Sequence, residues 1–225
     1  MGQRIEFSCQ GESYAGYLAQ SGKGTGPGVI VLQEWWGLVG HIEDVADRFG
    51  AEGFTALAPD LYRGATADEP DDAASLFMAL NIAETEKVMR CAIRRLLDDP
   101  ATSGSKVGVI GFCMGGQLSL YAACANPAEI GACVNFYGVH PNVHPDFTKL
   151  EAPVLGIFAE HDDYASPERV RAMSEELDRL GKSHTFHTYP GTRHAFFNDE
   201  RPAYDPAAAS DAWGRTLGFL RQALG

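Results

Sequence analysis

Gly111 to Gly116 (Gly-Phe-Cys-Met-Gly-Gly) lies between an apolar run, Lys106 to Ile110, and a helix-like stretch, Gln117 to Cys124. A strand that turns directly into a helix has little room at the junction. Glycines on both sides let the two backbones approach, and the central residue is forced into a strained conformation with its side chain exposed. The pattern is that of a nucleophile elbow with Cys113 at its apex. Such a chain has to fold so that a strand delivers Cys113 at its carboxyl end.

The rest of the sequence alternates accordingly. Two short alternating segments, about Arg4 to Ser8 and Tyr14 to Ala19, read as an opening hairpin. Buried strands are expected at Val29 to Leu32, Phe54 to Ala58, Lys106 to Ile110, Ala132 to Phe136, Val154 to Phe158 and Thr185 to Tyr189. Helices are expected at His41 to Ala51, Glu84 to Leu97, Pro167 to Leu180 and Ala207 to Leu224. This βα repeat implies an α/β fold, a mostly parallel sheet with helices on both faces. Gly64 to Asp72 is the most irregular stretch, and reads either as a mobile cap or as a solvated acidic loop.

With 225 residues, no low-complexity linker and no internal repeat, residues 1–225 are expected to form one domain. The formal net charge of −12 opposes nucleic acid and anionic membranes as partners. No basic leader or spanning run is visible, so a cytoplasmic chain is expected, with a monomer as the default. Cys9, Cys91, Cys113, Cys124 and Cys133 are odd in number, scattered and without CxxC spacing, so reduced thiols are expected. His140 and His144 have a spacing that binds zinc on a helix, but the neighbouring prolines make this a loop. Neither a metal nor a cofactor is expected.

Groups that act in such a sheet gather beyond the carboxyl ends of the strands. Four loops qualify, beginning at Gln33, Gly111, Ala159 and Pro190. An exposed cysteine that attacks a carbonyl needs a base, a carboxylate to orient that base, and donors for the developing oxyanion. Asp162 follows one apolar strand and His194 the next, in the order nucleophile, acid, histidine. Asp163 is the rival of Asp162 and reads better as a surface or capping residue. His184 and His187 lie at odd spacing in or beside a strand and suit ordinary strand positions. The helix N-terminus behind Cys113 favours negative charge on the sulfur.

Four segments in order, Val31 to Gly37, Ala58 to Tyr62, Gly108 to Gly116 and Pro190 to Phe196, resemble the dienelactone hydrolases of the α/β-hydrolase superfamily. The resemblance spans nearly the whole chain. It implies hydrolysis of a lactone or small ester, with Cys113 as nucleophile, His194 as general base and acid, and Asp162 orienting the imidazole. By the same resemblance Glu34 holds the resting thiol and moves aside when substrate enters. The backbone N–H groups of Trp35 and Met114 match the oxyanion-hole positions, while the rings of Trp35 and Trp36 suit packing equally well.

The resemblance further implies arginines that hold a substrate carboxylate, one of them four residues beyond the histidine. Here that position is Asn198, and the segment from Ala67 to Asp72 is acidic, leaving Arg63 and Arg193 as neighbouring candidates. A neutral ester or lactone is therefore within reach of the same scaffold. Two other readings stand beside the hydrolase. One is a thiol redox or acyl-transfer protein, although Cys124 lies about three helical turns from Cys113. The other is a non-catalytic binding module.

Overall fold

A computed structural model describes residues 1–225. Its eight strands are β1 (Gln3–Cys9), β2 (Glu12–Ala19), β3 (Gly26–Leu32), β4 (Thr55–Pro59), β5 (Thr102–Phe112), β6 (Ile130–Phe136), β7 (Val154–His161) and β8 (His184–Arg193). They form one sheet in the order β1-β2-β4-β3-β5-β6-β7-β8. β1 and β2 form the expected antiparallel hairpin, and β2 meets β4 antiparallel. From β4 onward every pairing is parallel.

The helices are α1 (Gly40–Ala51), α2 (Pro70–Ala79), α3 (Ile82–Leu97), α4 (Met114–Ala125), α5 (Pro167–Arg179) and α6 (Pro206–Leu224). Side chains that alternate along a strand serve opposite faces. Ile30 and Leu32 of β3 pack with Val88 and Met89 of α3 and Leu118 of α4. Val29 and Val31 pack instead with Val45 and Phe49 of α1 and Leu220 of α6. The sheet is thus covered on both faces, which is why its central strands read as continuous apolar runs.

Two expectations need correction. The stretch from Gly64 to Asp72 is not wholly irregular, because α2 begins at Pro70, where proline at the first helical turn and Asp71 and Asp72 beside it suit a helix N-terminus. Its only buried residue is Ala73, packed with Trp36 and Ala67, so it has no amphipathic stripe to betray it. Nor are all cysteines reduced. Cys9 at the end of β1 and Cys91 on α3 form a disulfide with Cα atoms 5.7 Å apart, across 82 residues of sequence. Folding α3 under the hairpin creates this pairing, which linear spacing does not show. No helix is long and apolar enough to cross a membrane.

Candidate active site

β3 is where the strand order reverses, since β4 lies on one side of it and β5 on the other. The loops leaving β3 and β5 therefore diverge and open a crevice at the carboxyl edge of the sheet. Glu34 follows β3 and Cys113 follows β5 into that crevice. Cys113 has φ +53° and ψ −117°, a conformation that L side chains seldom adopt. Close approach holds it there: a Cβ at Gly111 would collide with the Gly115 carbonyl, and one at Gly115 with the Leu32 carbonyl. The Cys113 N–H is itself tied to the Phe136 carbonyl at 3.0 Å.

Asp162 and His194 arrive from β7 and β8. His194 Nδ1 lies 2.8 Å from Asp162 Oδ2. Asp162 is buried, and its other oxygen accepts the backbone N–H groups of Tyr164 at 2.8 Å and Ala165 at 2.9 Å, whereas Asp163 is exposed. Three hydrogen bonds fix this carboxylate, so the imidazole has one orientation available, with Nδ1–H toward Asp162 and Nε2 free for the pocket. The ring is packed between Tyr137 and Tyr164, whose centroids lie 4.9 and 5.1 Å away.

Burial by itself would lower the pKa of His194, but the hydrogen bond to Asp162, the neighbouring Cys113 sulfur and the charges on both outweigh it and push the value up to about 10. The hydroxyls of Tyr62 and Tyr137 shift upward, first through burial and then through the charges of Cys113 for Tyr62, and of Glu34 and Cys113 for Tyr137. Both phenols stay neutral beside the sulfur. Tyr62 donates to the Met114 thioether at 3.2 Å, just behind the elbow.

Cys113, His194 and Tyr164 line a cavity of about 490 Å³, a size suited to a small ligand. Trp35, Trp36, Phe77, Val139, Tyr164 and Pro202 make its walls largely apolar, and Cys113, His194 and Glu34 face it together. Trp35 borders this cavity and Met114 directly follows Cys113, and the backbone N–H groups of both donate to no backbone carbonyl. A second cavity of about 400 Å³ adjoins it, sharing Val139 and Arg169 as a common wall.

The structure brings Cys113, Asp162, His194, Glu34, Trp35 and Met114 to one place, and it separates others. Arg63 lies away from the pocket, paired with Glu12 at 3.5 Å and Glu84 at 3.2 Å, and Arg193 is exposed at the end of β8, outside the pocket lining. The cations on the pocket wall are Arg169 and Arg201. The Arg201 guanidinium lies 3.6 Å over the Trp36 ring, and its buried Nε has no partner. Neither arginine was visible as a site residue, since Arg201 sits in an aperiodic loop and Arg169 reads as surface charge on α5. Asn198 is buried and donates to Glu34 Oε2 at 2.6 Å. His140 uses both ring nitrogens in the protein, with Nε2 3.1 Å from the Phe77 carbonyl and Nδ1 accepting Asn142 N–H. Burial pushes the Cys124 thiol up to about 12, leaving it an inert core residue.

The model of the dienelactone hydrolase family matches residues 14–224. A protein of Aquifex pyrophilus, "Protein usf", is 38% identical over the full length of both chains. An Aquifex aeolicus protein bearing the name "Putative carboxymethylenebutenolidase" is 33% identical, again with full coverage of both. Among solved structures, a Klebsiella pneumoniae protein titled "Putative Dienelactone Hydrolase" superposes with a TM-score of 0.88 at 28% identity, covering 99% of each chain.

Proposed function

Since this chain belongs to the dienelactone hydrolase family and has its α/β-hydrolase fold, we propose that it cleaves a lactone or small carboxylic ester through Cys113, His194 and Asp162. The observation that carries this reading is the meeting of a strained, pocket-facing cysteine with an imidazole whose far nitrogen is held 2.8 Å from a buried carboxylate.

The thiolate of Cys113 attacks the carbonyl carbon, forming an S–C bond while the carbonyl π pair moves to oxygen. The N–H groups of Trp35 and Met114 stabilise that oxyanion, a contribution of about 3–4 kcal/mol per donor in comparable sites. Collapse breaks the C–O bond, and the leaving alkoxide takes the proton from His194 Nε2. Water then attacks the thioester, giving its proton to His194, and the C–S bond breaks. Asp162 keeps the imidazole in the tautomer that both steps use and stabilises its protonated form. Glu34, which lines the same cavity as Cys113, holds the resting thiol and moves aside when substrate enters, as the family resemblance implies. The largely apolar wall suits an apolar acid portion. Arg169 and Arg201 provide positive charge for a substrate that carries a negative group.

A hydrolysis screen over cis- and trans-dienelactone, aryl esters with and without a carboxylate, and neutral lactones tests the proposal, with Cys113→Ala as the blank. Turnover of at least one class in the wild type, lost in Cys113→Ala, is the expected result. Equal turnover by both proteins would exclude the cysteine nucleophile.

A further inference from the structure

The second cavity, of about 400 Å³, has no part in the chemistry set out above. It meets the catalytic cavity at Val139 and Arg169, which line both. Those two residues are held very differently. Val139 is fixed to the elbow, because its N–H donates to the Cys113 carbonyl at 3.2 Å and the preceding Gly138 N–H donates to Asn135 Oδ1 at 2.7 Å. A Cβ on Gly138 would strike the backbone at Gly116 and Gln117, so the loop after β6 lies tightly on the start of α4. Arg169 is exposed, and its guanidinium makes one hydrogen bond, to the Tyr164 carbonyl at 3.2 Å. A single bond of this kind at the surface is a weak restraint, so the side chain can swing outward and join the two spaces.

The two linings also fix on which side of the reacting carbonyl the second cavity lies. Trp35, whose N–H is assigned to the oxyanion, borders the catalytic cavity alone. Ala165, whose N–H bonds Asp162 Oδ1 at 2.9 Å, borders the second cavity alone. The second cavity therefore lies toward Asp162 and His194, the side on which the leaving oxygen takes its proton.

We propose that this second cavity is the subsite for the alcohol portion of an ester, entered past Arg169 and bounded by Val139. The inference rests on the ester-cleavage reading given above and names its substrate class: an open-chain ester of a neutral, ring-bearing alcohol or phenol, with the acid portion in the catalytic cavity. A small lactone keeps its leaving oxygen tethered to the acyl group and occupies the catalytic cavity only.

The lining sets that chemistry. Val143, Phe147 and Phe158 are buried and Met173 is half-buried, which gives an apolar floor with two aromatic rings. Gln117 lies on the same wall and spends its amide N–H on the Val143 carbonyl at 3.0 Å, leaving Oε1 to accept from a hydroxyl. Glu176 offsets the charge of Arg169, so the lining favours neither an anionic nor a cationic alcohol.

The test compares kcat/KM for phenyl acetate, 2-naphthyl acetate and phenyl hexanoate in the wild type, Ala172→Trp and Val139→Ala, with Cys113→Ala as the blank. Ala172 is an exposed residue of the second cavity that does not reach the catalytic one, so an indole there fills the proposed subsite only. In Ala172→Trp the ratio of 2-naphthyl to phenyl acetate is expected to fall by about tenfold or more, since a misfit of one methylene already carries about that factor. The ratio of hexanoate to acetate is expected to hold, because the acid portion lies elsewhere. In Val139→Ala, where the partition is smaller, the naphthyl ratio is expected to rise.

A naphthyl ratio unchanged in Ala172→Trp would overturn the proposal. So would a loss of hexanoate in place of naphthyl, which would put the acid portion in this cavity. Should that variant not fold, Val139→Ala decides by a ratio that rises or stays level. Calorimetric titration of 2-naphthol into Cys113→Ala gives a readout free of the chemistry: affinity is expected to weaken by about tenfold when Ala172→Trp is added, and equal affinity, or no binding to either protein, would also overturn the subsite. The underlying nucleophile reading fails differently, by hydrolysis that survives Cys113→Ala.

Discussion

Asp162 has the narrowest task of any residue in the site. With Oδ1 taken by two backbone N–H groups and Oδ2 by His194, it can only orient and stabilise the imidazolium. Asp162→Asn keeps the shape but offers an amide where an acceptor is needed, so kcat is expected to fall by about 10⁴-fold while the melting temperature changes little. Steady-state kinetics on an activated ester checks this, and a loss of less than tenfold would leave Asp162 without an orienting role. His194 also couples the site to pH. Its folded-state pKa lies above its ordinary value, so the stability it contributes is complete below about 6.5 and is lost as pH rises through about 10. Urea midpoints between neutral pH and pH 10.5 are expected to fall in the wild type and to stay flatter in His194→Ala. The alkaline limb of kcat/KM is expected near the same pH, where the proton for the leaving group is lost.

At the scale of elements, the elbow was legible because geometry leaves it no alternative residues. The backbones of β5 and α4 approach so closely that a side chain at Gly111 has no space. Gly111→Ala is expected to cost about 3 kcal/mol, the upper end of overpacking penalties, and to abolish hydrolysis even where the protein folds. Chemical denaturation together with an ester assay measures both, and an active, equally stable variant would contradict this account of the turn. The loops carrying Asp162 and His194 were legible for a related reason, since apolar strands mark where parallel strands end. α2 was not, because its acidic start and single buried alanine carry no helical stripe. Asn198 and Arg201 were illegible as partners of Glu34 and Trp36, because they lie in an irregular turn whose contacts only the folded chain creates.

At the scale of the whole molecule, most of the architecture followed from alternating apolar runs, while the cross-link did not. Pairing Cys9 with Cys91 requires the hairpin and α3 to meet, and an odd, scattered set of cysteines gives no hint of it. The disulfide closes a loop of 82 residues, and neither cysteine lines the pocket. Reduction, or Cys9→Ser with Cys91→Ser, is expected to lower stability by about 2–4 kcal/mol through the freer unfolded chain, with kcat at 25 °C unchanged. A melting temperature indifferent to reductant would show that the bridge does not form in solution.

The central claim is that the substrate's acyl group passes through the sulfur of Cys113. It is tested most directly by acid-quenching the protein during turnover of p-nitrophenyl acetate and locating the adduct by peptide mass spectrometry. One acetyl group on the peptide containing Cys113, absent from Cys113→Ala, is the predicted result. Steady turnover with that peptide unmodified, or with the acetyl group carried elsewhere, would contradict it.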